Sequence, residues 1–254
     1  MFKSRMEASA KRAGSNIVLA LDLTSEDPGV LLRSALEVLD ETHTYLCAVK
    51  INRHLVLPLG LSDGVKKILD RARDFSLPTI MDCKINDIGN TNLAIARSYF
   101  EAGFDAVIAN PFVGWEDGLQ PVFELARQLD RGVITLVYMS HKAAWEGYGQ
   151  TVYDSSNRRN RPQYLIFAEK AVSWEADGAV VGATYPEKIH EVYEVLGNSV
   201  PIYSPGVGAQ GGDMEAALKA GSRYLIVGRS IIRASEPCEA AKRVRDEANR
   251  FLGR

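Results

Sequence analysis

Charged side chains stand at the ends of three apolar segments of the sequence. Asp82 and Lys84 lie in the segment Thr79–Ile85, Lys50 closes an earlier segment, and Asp22 closes the first. Asp82 and Lys84 are two residues apart, so on a strand both side chains project to the same side. A charged pair inside an apolar strand is costly to bury and is rarely kept for stability. Ammonium and carboxylate groups that converge in this way can stabilise charge on a reacting substrate; the alternative interpretation is a structural ion pair.

A glycine-rich segment near the C-terminus has the composition of a phosphate site. It covers residues 204–212, precedes a predicted helix, and is followed by Arg229 after the next apolar segment. Glycine lets backbone N–H groups approach an anion, and a helix N-terminus favours negative charge. Its glycines at 206, 208 and 211 also match the dinucleotide fingerprint. We reject that interpretation, because the next predicted strand ends in Arg229 where the fingerprint expects an acidic residue.

The remaining reactive residue types form no motif. Ser140 follows an apolar segment, but the G-x-S-x-G turn of a nucleophilic serine is absent, so we expect it to hydrogen-bond substrate or backbone. The four histidines show no metal-ligand spacing, and we expect no metal site. The three tryptophans are scattered and suggest no stacking platform for nucleic acid.

Short apolar segments alternate with helical patterns along the chain, which is typical of a parallel sheet built from βα units. The predicted strands are residues 17–23, 45–51, 79–85, 105–109, 133–139, 179–182, 201–204 and 224–227. Eight such units in about 250 residues favour an α/β fold of the TIM (β/α)8 barrel type. Active sites of this fold lie at the mouth where the strands end, so the charged strand ends are expected to converge there.

Two segments add to the predicted barrel. Phe2, Met6 and Ala10 follow helical spacing and predict a short N-terminal helix that packs on it. Residues 141–161 form an insertion after the fifth predicted strand, rich in Gly, Tyr, Asn and Arg. We expect a long loop that acts as a lid. Its candidate ligand contacts are Tyr148, Gln150 and residues 158–161.

Composition and charge exclude several classes of protein. The 254 residues include 30 basic and 32 acidic ones, so the net charge of −2 gives no general attraction to nucleic acid or to an anionic membrane. No apolar run approaches the about 18 residues that a membrane span needs. Three unclustered cysteines suit a reducing compartment. We expect residues 1–254 to form a single cytoplasmic domain.

The charged strand ends and the glycine-rich segment lie in stretches of sequence that resemble the orotidine 5′-phosphate decarboxylase family, particularly its archaeal-type members. The matching segments, in the family's order and spread over essentially the whole chain, are LALDL, AVKIN, MDCKINDIGNT, MSH, SPGVGAQGG and VGRSI. The resemblance implies a TIM barrel that forms a homodimer with shared active sites. It also implies decarboxylation of orotidine 5′-phosphate to UMP in de novo pyrimidine biosynthesis, without a cofactor.

The resemblance further implies a role for each matching residue. Catalysis is assigned to a Lys-Asp-Lys-Asp array of Lys50, Asp82, Lys84 and Asp87, in which Asp87 reaches in from the other subunit. Asp82 is expected to face the departing carboxylate, and Lys84 to protonate C6 of the ring. Substrate binding is assigned to Asp22, Lys50 and Thr91 of the partner subunit on the ribose, Ser140 on the pyrimidine edge, Gln210 between base and phosphate, Arg229 on the phosphate, and also Pro205, Gly208 and Gly228.

Two alternative functions remain compatible with a phosphate-binding barrel. Mg²⁺-dependent barrels resembling hexulose-6-phosphate synthase and ketogulonate-6-phosphate decarboxylase share the D-x-K-x-x-D pattern. They expect an acidic residue on the second strand, where this chain has Lys50. A non-catalytic phosphate-binding barrel is the other alternative, but it has no reason to tolerate the cost of burying charged strand ends.

Overall fold

Eight parallel strands close into a barrel in the computed structural model, which describes residues 1–155, 157–208 and 211–253. The strands are β1 (Ile17–Ala20), β2 (Ala48–Asn52), β3 (Thr79–Ile85), β4 (Ala106–Ala109), β5 (Gly132–Tyr138), β6 (Thr151–Asp154), β7 (Arg159–Pro162), β8 (Gly178–Val181), β9 (Ile202–Pro205) and β10 (Ser222–Val227). Hydrogen bonds join the barrel strands in the order β1-β10-β9-β8-β5-β4-β3-β2, and β6 and β7 form a separate hairpin. The predicted TIM barrel is confirmed.

Helices cover the outside of the barrel between its strands. They are α1 (Phe2–Ala13), α2 (Pro28–Thr42), α3 (Arg53–Leu59), α4 (Val65–Asp74), α5 (Gly89–Ala102), α6 (Gln120–Gln128), α7 (Ala144–Gly147), α8 (Gln163–Ser173), α9 (Pro186–Leu196), α10 (Met214–Lys219), α11 (Arg229–Ile232) and α12 (Pro237–Phe251). Pro186 begins α9 and Gly197 follows its end, as their positions predict. Within the described part of the chain, no helix has both the length and the apolar character needed to cross a membrane.

Strands β2 and β4 of the barrel begin later in the structure than the sequence predicts. Tyr45 lies in a short helical turn, and β2 begins only at Ala48. Asp105 precedes β4, and its carboxylate accepts hydrogen bonds from the Thr79 backbone N–H at 2.9 Å and from Arg131 at 2.7 Å. This carboxylate joins the starts of three adjacent strands, a role that alternation of apolar residues does not predict.

Helix α1 closes the end of the barrel where the strands begin. Phe2 and Met6 are fully buried, and they pack with residues that point into the barrel, including the stacked pair Tyr203 and Tyr224. Gly132 makes room for this packing, because a Cβ at that position would lie 2.6 Å from the Phe2 ring. The predicted N-terminal packing helix is therefore confirmed, and it fills the barrel floor with apolar side chains.

The long insertion predicted after β5 is present, and it contains secondary structure of its own. It contains helix α7 and the antiparallel hairpin β6–β7, in which Thr151 pairs with Pro162. Arg161 is buried at the base of the hairpin, where it donates to Asp154 at 2.9 Å and also binds Glu169 of α8. A buried ion pair holds its geometry only if every charge is paired. Arg161 thus anchors the hairpin to α8.

Truncation of Phe2, whose buried ring fills the floor of the barrel, is expected to lower the stability of the fold. Phe2→Ala leaves a cavity in the barrel floor and should lower the free energy of unfolding by about 3–5 kcal/mol. Urea denaturation followed by circular dichroism measures the change. Phe251→Ala is the matched control, because it removes the same atoms from a partly exposed side chain on α12. Equal losses in the two variants would contradict a plug role for α1.

Candidate active site

The carboxyl-terminal mouth of the barrel holds a pocket of about 200 Å³. Among the residues predicted for the site, those lining it are Asp22, Lys50, Asp82, Lys84, Ser140, Pro205, Gly228 and Arg229. They come from the ends of six different strands, which a closed barrel brings to one place. Its floor is apolar, with Ile108, Leu136 and Val180 below the charged groups.

Asp82 binds both neighbouring lysines. Its Oδ2 lies 2.8 Å from the Lys50 Nζ, and its Oδ1 lies 2.6 Å from the Lys84 Nζ. The Asp22 Oδ1 lies 3.6 Å from the Lys50 Nζ, and this buried oxygen has no hydrogen-bond donor within 3.5 Å among the described residues. The four groups therefore alternate in sign along the mouth, as the strand-end pattern predicts. Lys84 is partly exposed, so its ammonium is open to the pocket as well as to Asp82.

Pairing with their neighbours keeps the buried Asp82 and Lys50 side chains charged. Burial acts to raise the pKa of Asp82, but the charges and hydrogen bonds of Lys50 and Lys84 outweigh it and lower that pKa to about 2. Burial acts to lower the pKa of Lys50, but Asp82 and Asp22 outweigh it and raise that pKa. At neutral pH the pocket thus presents a carboxylate fixed between two ammonium groups.

The backbone of β3 is distorted at Lys84. Its φ of 49° lies in the left-handed region, and the register between β3 and β4 shifts between Met81 and Ile85. A non-glycine residue in this region costs about 1–2 kcal/mol. The distortion lies one residue before the end of β3, and both Asp82 and Lys84 line the pocket.

Asp87 and Thr91 do not line this pocket. Both are exposed beside the mouth, Asp87 in the turn after β3 and Thr91 in the first turns of α5. The turn is held by Asn92, a fully buried residue that sequence analysis missed. Its side chain accepts from the Asp87 N–H at 2.9 Å and donates to the Gly118 carbonyl at 3.0 Å. The available signal was a polar residue on the buried face of a predicted helix.

Ser140 is positioned by two residues that sequence analysis also missed. The Thr184 Oγ1 donates to the Ser140 carbonyl at 3.0 Å. Gly182 lies against Ser140 so closely that a Cβ there would approach the Ser140 Cα to 2.6 Å. Glycine at the end of β8 is therefore required for the β5 end to reach the pocket.

The glycine-rich segment lies beside Arg229 but binds largely to itself. Gly206 and Gly208 have positive φ, and the Gly208 N–H donates to the Gly212 carbonyl at 3.0 Å. Asp213 caps α10 by accepting from the Ala216 N–H at 3.1 Å, so a carboxylate already occupies that helix N-terminus. Arg229 lines the pocket, whereas Gly208 lies behind it. Gln210, the other predicted contact, lies outside the described residues.

Tyr148 of the insertion packs inward. It is more than half buried, and its ring lies 6.3 Å from that of Tyr138 and 6.2 Å from that of Phe167. Burial raises the pKa of its hydroxyl, although a hydrogen bond with Asn110 acts against the shift. Tyr148 thus supports the wall of the mouth from behind.

Charged groups gathered at the mouth of a closed parallel barrel are typical of (β/α)8-barrel enzymes that act on small anionic molecules. A sequence model described as the orotidine 5′-phosphate decarboxylase / HUMPS family matches residues 15–244, and the chain belongs to that family. The match covers every barrel strand.

Curated relatives and solved structures agree with this assignment. The chain is 39% identical over 231 residues to orotidine 5′-phosphate decarboxylase of Pyrococcus abyssi, covering 91% of this chain and 98% of that protein. It is 40% identical to the Thermococcus kodakarensis enzyme of the same name over 92% of this chain and 96% of that one. The Methanocaldococcus jannaschii enzyme in complex with the inhibitor BMP superimposes with a TM-score of 0.78 at 30% identity, over 92% of this chain and 99% of that chain.

The Asp82 carboxylate is expected to make stability depend on acid. Its folded pKa of about 2 lies below the usual 3.8, so its contribution is complete above about pH 4 and is lost as the pH falls through about 2. The stability difference between wild type and Asp82→Asn should therefore shrink by about 1 kcal/mol between pH 6 and pH 3. Urea unfolding at each pH measures it.

The matched control is Asp63→Asn, which removes a carboxylate from the exposed pair with Lys67 on the surface. The change for Asp82→Asn should exceed the change for this exposed pair, which solvent screens. A difference for Asp82→Asn that stays constant over the same range would show that Asp82 is not held ionised by its neighbours.

Proposed function

We propose that the chain decarboxylates orotidine 5′-phosphate to UMP in de novo pyrimidine biosynthesis. The observation that carries the proposal is the Lys50–Asp82–Lys84 array above the apolar floor of the pocket. The Asp82 carboxylate lies 2.8 Å from the Lys50 ammonium and 2.6 Å from the Lys84 ammonium. The curated relatives named above are orotidine 5′-phosphate decarboxylases, which supports the same reaction. No cofactor enters the proposed reaction.

The array would act on the bond between C6 of the pyrimidine and its carboxylate. Asp82, fixed in the ionised form, would repel the substrate carboxylate and favour its departure as CO₂. The electron pair of the broken bond stays at C6, where the Lys84 ammonium would stabilise it and then donate a proton to form UMP. Solvent would return the proton to Lys84. Because the charges are already in place, little reorganisation accompanies the reaction.

The other pocket residues would bind the parts of the substrate that do not react. Arg229 would pair with the phosphate, and Asp22 and Lys50 would hold the ribose hydroxyls. Ser140 would read the pyrimidine edge. Phosphate and ribose lie far from the broken bond, so their binding energy can orient the base over the array. Gly208 and Gln210 would contribute when the glycine-rich segment contacts the phosphate.

We further propose that two chains share each site. Asp87 and Thr91 lie beside the mouth and outside the pocket of their own chain, where a second copy could use them. Exposed apolar side chains follow three adjacent strands on this side of the barrel: Leu57, Ile88 and Phe112. Apolar side chains grouped at one edge are typical of a protein–protein interface.

We also propose that residues 1–254 act as one domain in the cytoplasm. Helix α1 fills the barrel floor and α12 packs against α2 on the outside, so the first and the last helix both pack on the same barrel. Cys47, Cys83 and Cys238 are free thiols, which supports a reducing compartment.

A spectrophotometric assay with orotidine 5′-phosphate tests the reaction. We expect conversion to UMP at the same rate with and without EDTA, because the Lys50 ammonium stands where Mg²⁺-dependent relatives of this fold would need an anionic ligand. Lys84→Ala should remove turnover, and Arg97→Ala, on the outer surface of α5, is the control that should keep it. Activity that disappears with EDTA and returns with Mg²⁺ would instead favour a synthase-like reaction.

Subunit mixing tests the shared site. Lys84→Ala and Asp87→Ala homodimers should each be nearly inactive, but a heterodimer of the two has one site with both defects and one intact site. Each heterodimer should regain about half of the wild-type activity, because a two-fold dimer has two equivalent sites.

The control mixes Lys84→Ala with Arg229→Ala, two residues that line the pocket of one chain. Every site of that heterodimer keeps one defect, so no recovery is expected. If mass spectrometry confirms heterodimers and the Lys84→Ala with Asp87→Ala mixture stays inactive, Asp87 acts within its own chain.

A further inference from the structure

A second polar cleft lies at the opposite end of the barrel, on the side closed by α1. Its volume is about 380 Å³, and four arginines line it: Arg5, Arg12, Arg73 and Arg131. We call it the arginine cleft. It shares no described lining residue with the pocket at the mouth. The mechanism proposed above makes no use of it.

Positive charge is in excess in the arginine cleft. Asp105 is the one acidic residue among the described lining residues, and Arg131 and Thr79 already bind it. Arg5 lies 3.7 Å from this carboxylate and 2.5 Å from that of Asp130, and Arg73 lies 2.7 Å from Asp70; Asp130 and Asp70 are outside the lining. Within the described chain, no carboxylate lies within 4.0 Å of the Arg12 guanidinium.

The donors of the cleft are incompletely used. The Arg5 Nε is buried and has no hydrogen-bond partner within the described residues. Arg12 donates through one nitrogen to the Ser9 hydroxyl at 3.0 Å and to the Ser76 carbonyl at 2.5 Å. These are neutral acceptors, which leave its charge uncompensated. An anion in the cleft would supply the charged partner that the exposed Arg12 guanidinium lacks.

Two arginines reach the cleft from opposite directions. Arg12 is held from α1, whereas Arg73 extends from the end of α4. Gly103, with φ 117°, allows this approach, because a Cβ there would lie 3.1 Å from an Arg73 terminal nitrogen. Guanidinium groups bind the oxygens of phosphate in bidentate fashion, and two of them line this cleft from different helices.

The cleft depends on a segment outside the family match. Arg5, Ala8 and Arg12 all belong to α1, and the family model begins at residue 15. The other lining residues, Arg73 and Arg131 among them, lie within the match, so α1 and the barrel form the cleft together. Its location also separates it from Arg229, because it lies where the strands begin and not where they end.

We propose that the arginine cleft is a second anion site, which binds a small ligand carrying a phosphate or diphosphate group. The inference does not depend on the proposed decarboxylation. Isothermal titration calorimetry with inorganic pyrophosphate tests it, and a parallel titration with ADP distinguishes a free diphosphate from one presented by a nucleotide. We expect one cleft-bound ligand per chain for at least one of the two probes. Arg229→Ala should retain this binding, although it weakens phosphate binding in the pocket at the mouth.

Two variants should remove the binding. Arg12→Gln/Arg73→Gln deletes two of the charges, and Ala8→Glu adds a carboxylate to the cleft from an exposed helical position that tolerates it. Each should raise the dissociation constant at least tenfold while thermal unfolding by circular dichroism and decarboxylase activity stay at the wild-type level. The matched control is Arg243→Gln/Arg250→Gln, which removes two exposed arginines from α12.

Three results would overturn the proposal. The first is absence of binding for both probes in wild type. The second is binding that Arg229→Ala abolishes and Ala8→Glu leaves unchanged, which would place the ligand at the mouth. The third is an equal loss in the α12 control, which would show attraction by general charge alone. Should Arg12→Gln/Arg73→Gln fail to fold, Ala8→Glu still decides the question, because it leaves all four arginines in place.

Discussion

The pairing of Asp82 with two lysines is the interaction on which the mouth of this barrel depends. A single ammonium or carboxylate at this depth would be neutralised by burial, and two like charges would repel one another. Arranged as Asp22, Lys50, Asp82 and Lys84, the groups alternate in sign along the row, and this pairing keeps the buried Lys50 and Asp82 charged. The barrel makes this possible because adjacent strands place their end residues a few ångströms apart.

The two ends of the barrel solve opposite problems. At the mouth, polar groups must remain reachable, and the described residues leave a pocket above an apolar floor. At the other end, α1 inserts Phe2 and Met6 and removes the interior from water. An apolar plug also lowers the local dielectric beneath the charged row, which strengthens every interaction in it. Stability and chemistry are thus divided along the barrel axis.

Much of this arrangement could be predicted from the sequence. Alternation of apolar and helical segments predicted the eight strands of the barrel, and the spacing of Asp82 and Lys84 predicted that both side chains project to the same side. The hairpin β6–β7 was missed because its strands are only four residues long and β7 is polar. Its anchor Arg161 contacts Glu169 only once α8 has packed. Asn92 was missed for a similar reason, since its partner Gly118 lies in the next βα loop. Such contacts depend on tertiary structure that local patterns do not encode.

The left-handed backbone at Lys84 has a consequence for how sequences of this chain can change. Glycine or asparagine would adopt that conformation with less strain than lysine. Substitution by either residue would relieve the backbone strain but would remove one of the two ammonium groups that pair with Asp82. The strained lysine is therefore retained where its ammonium group is needed, and a lineage released from that need would exchange an ion pair for a relaxed backbone.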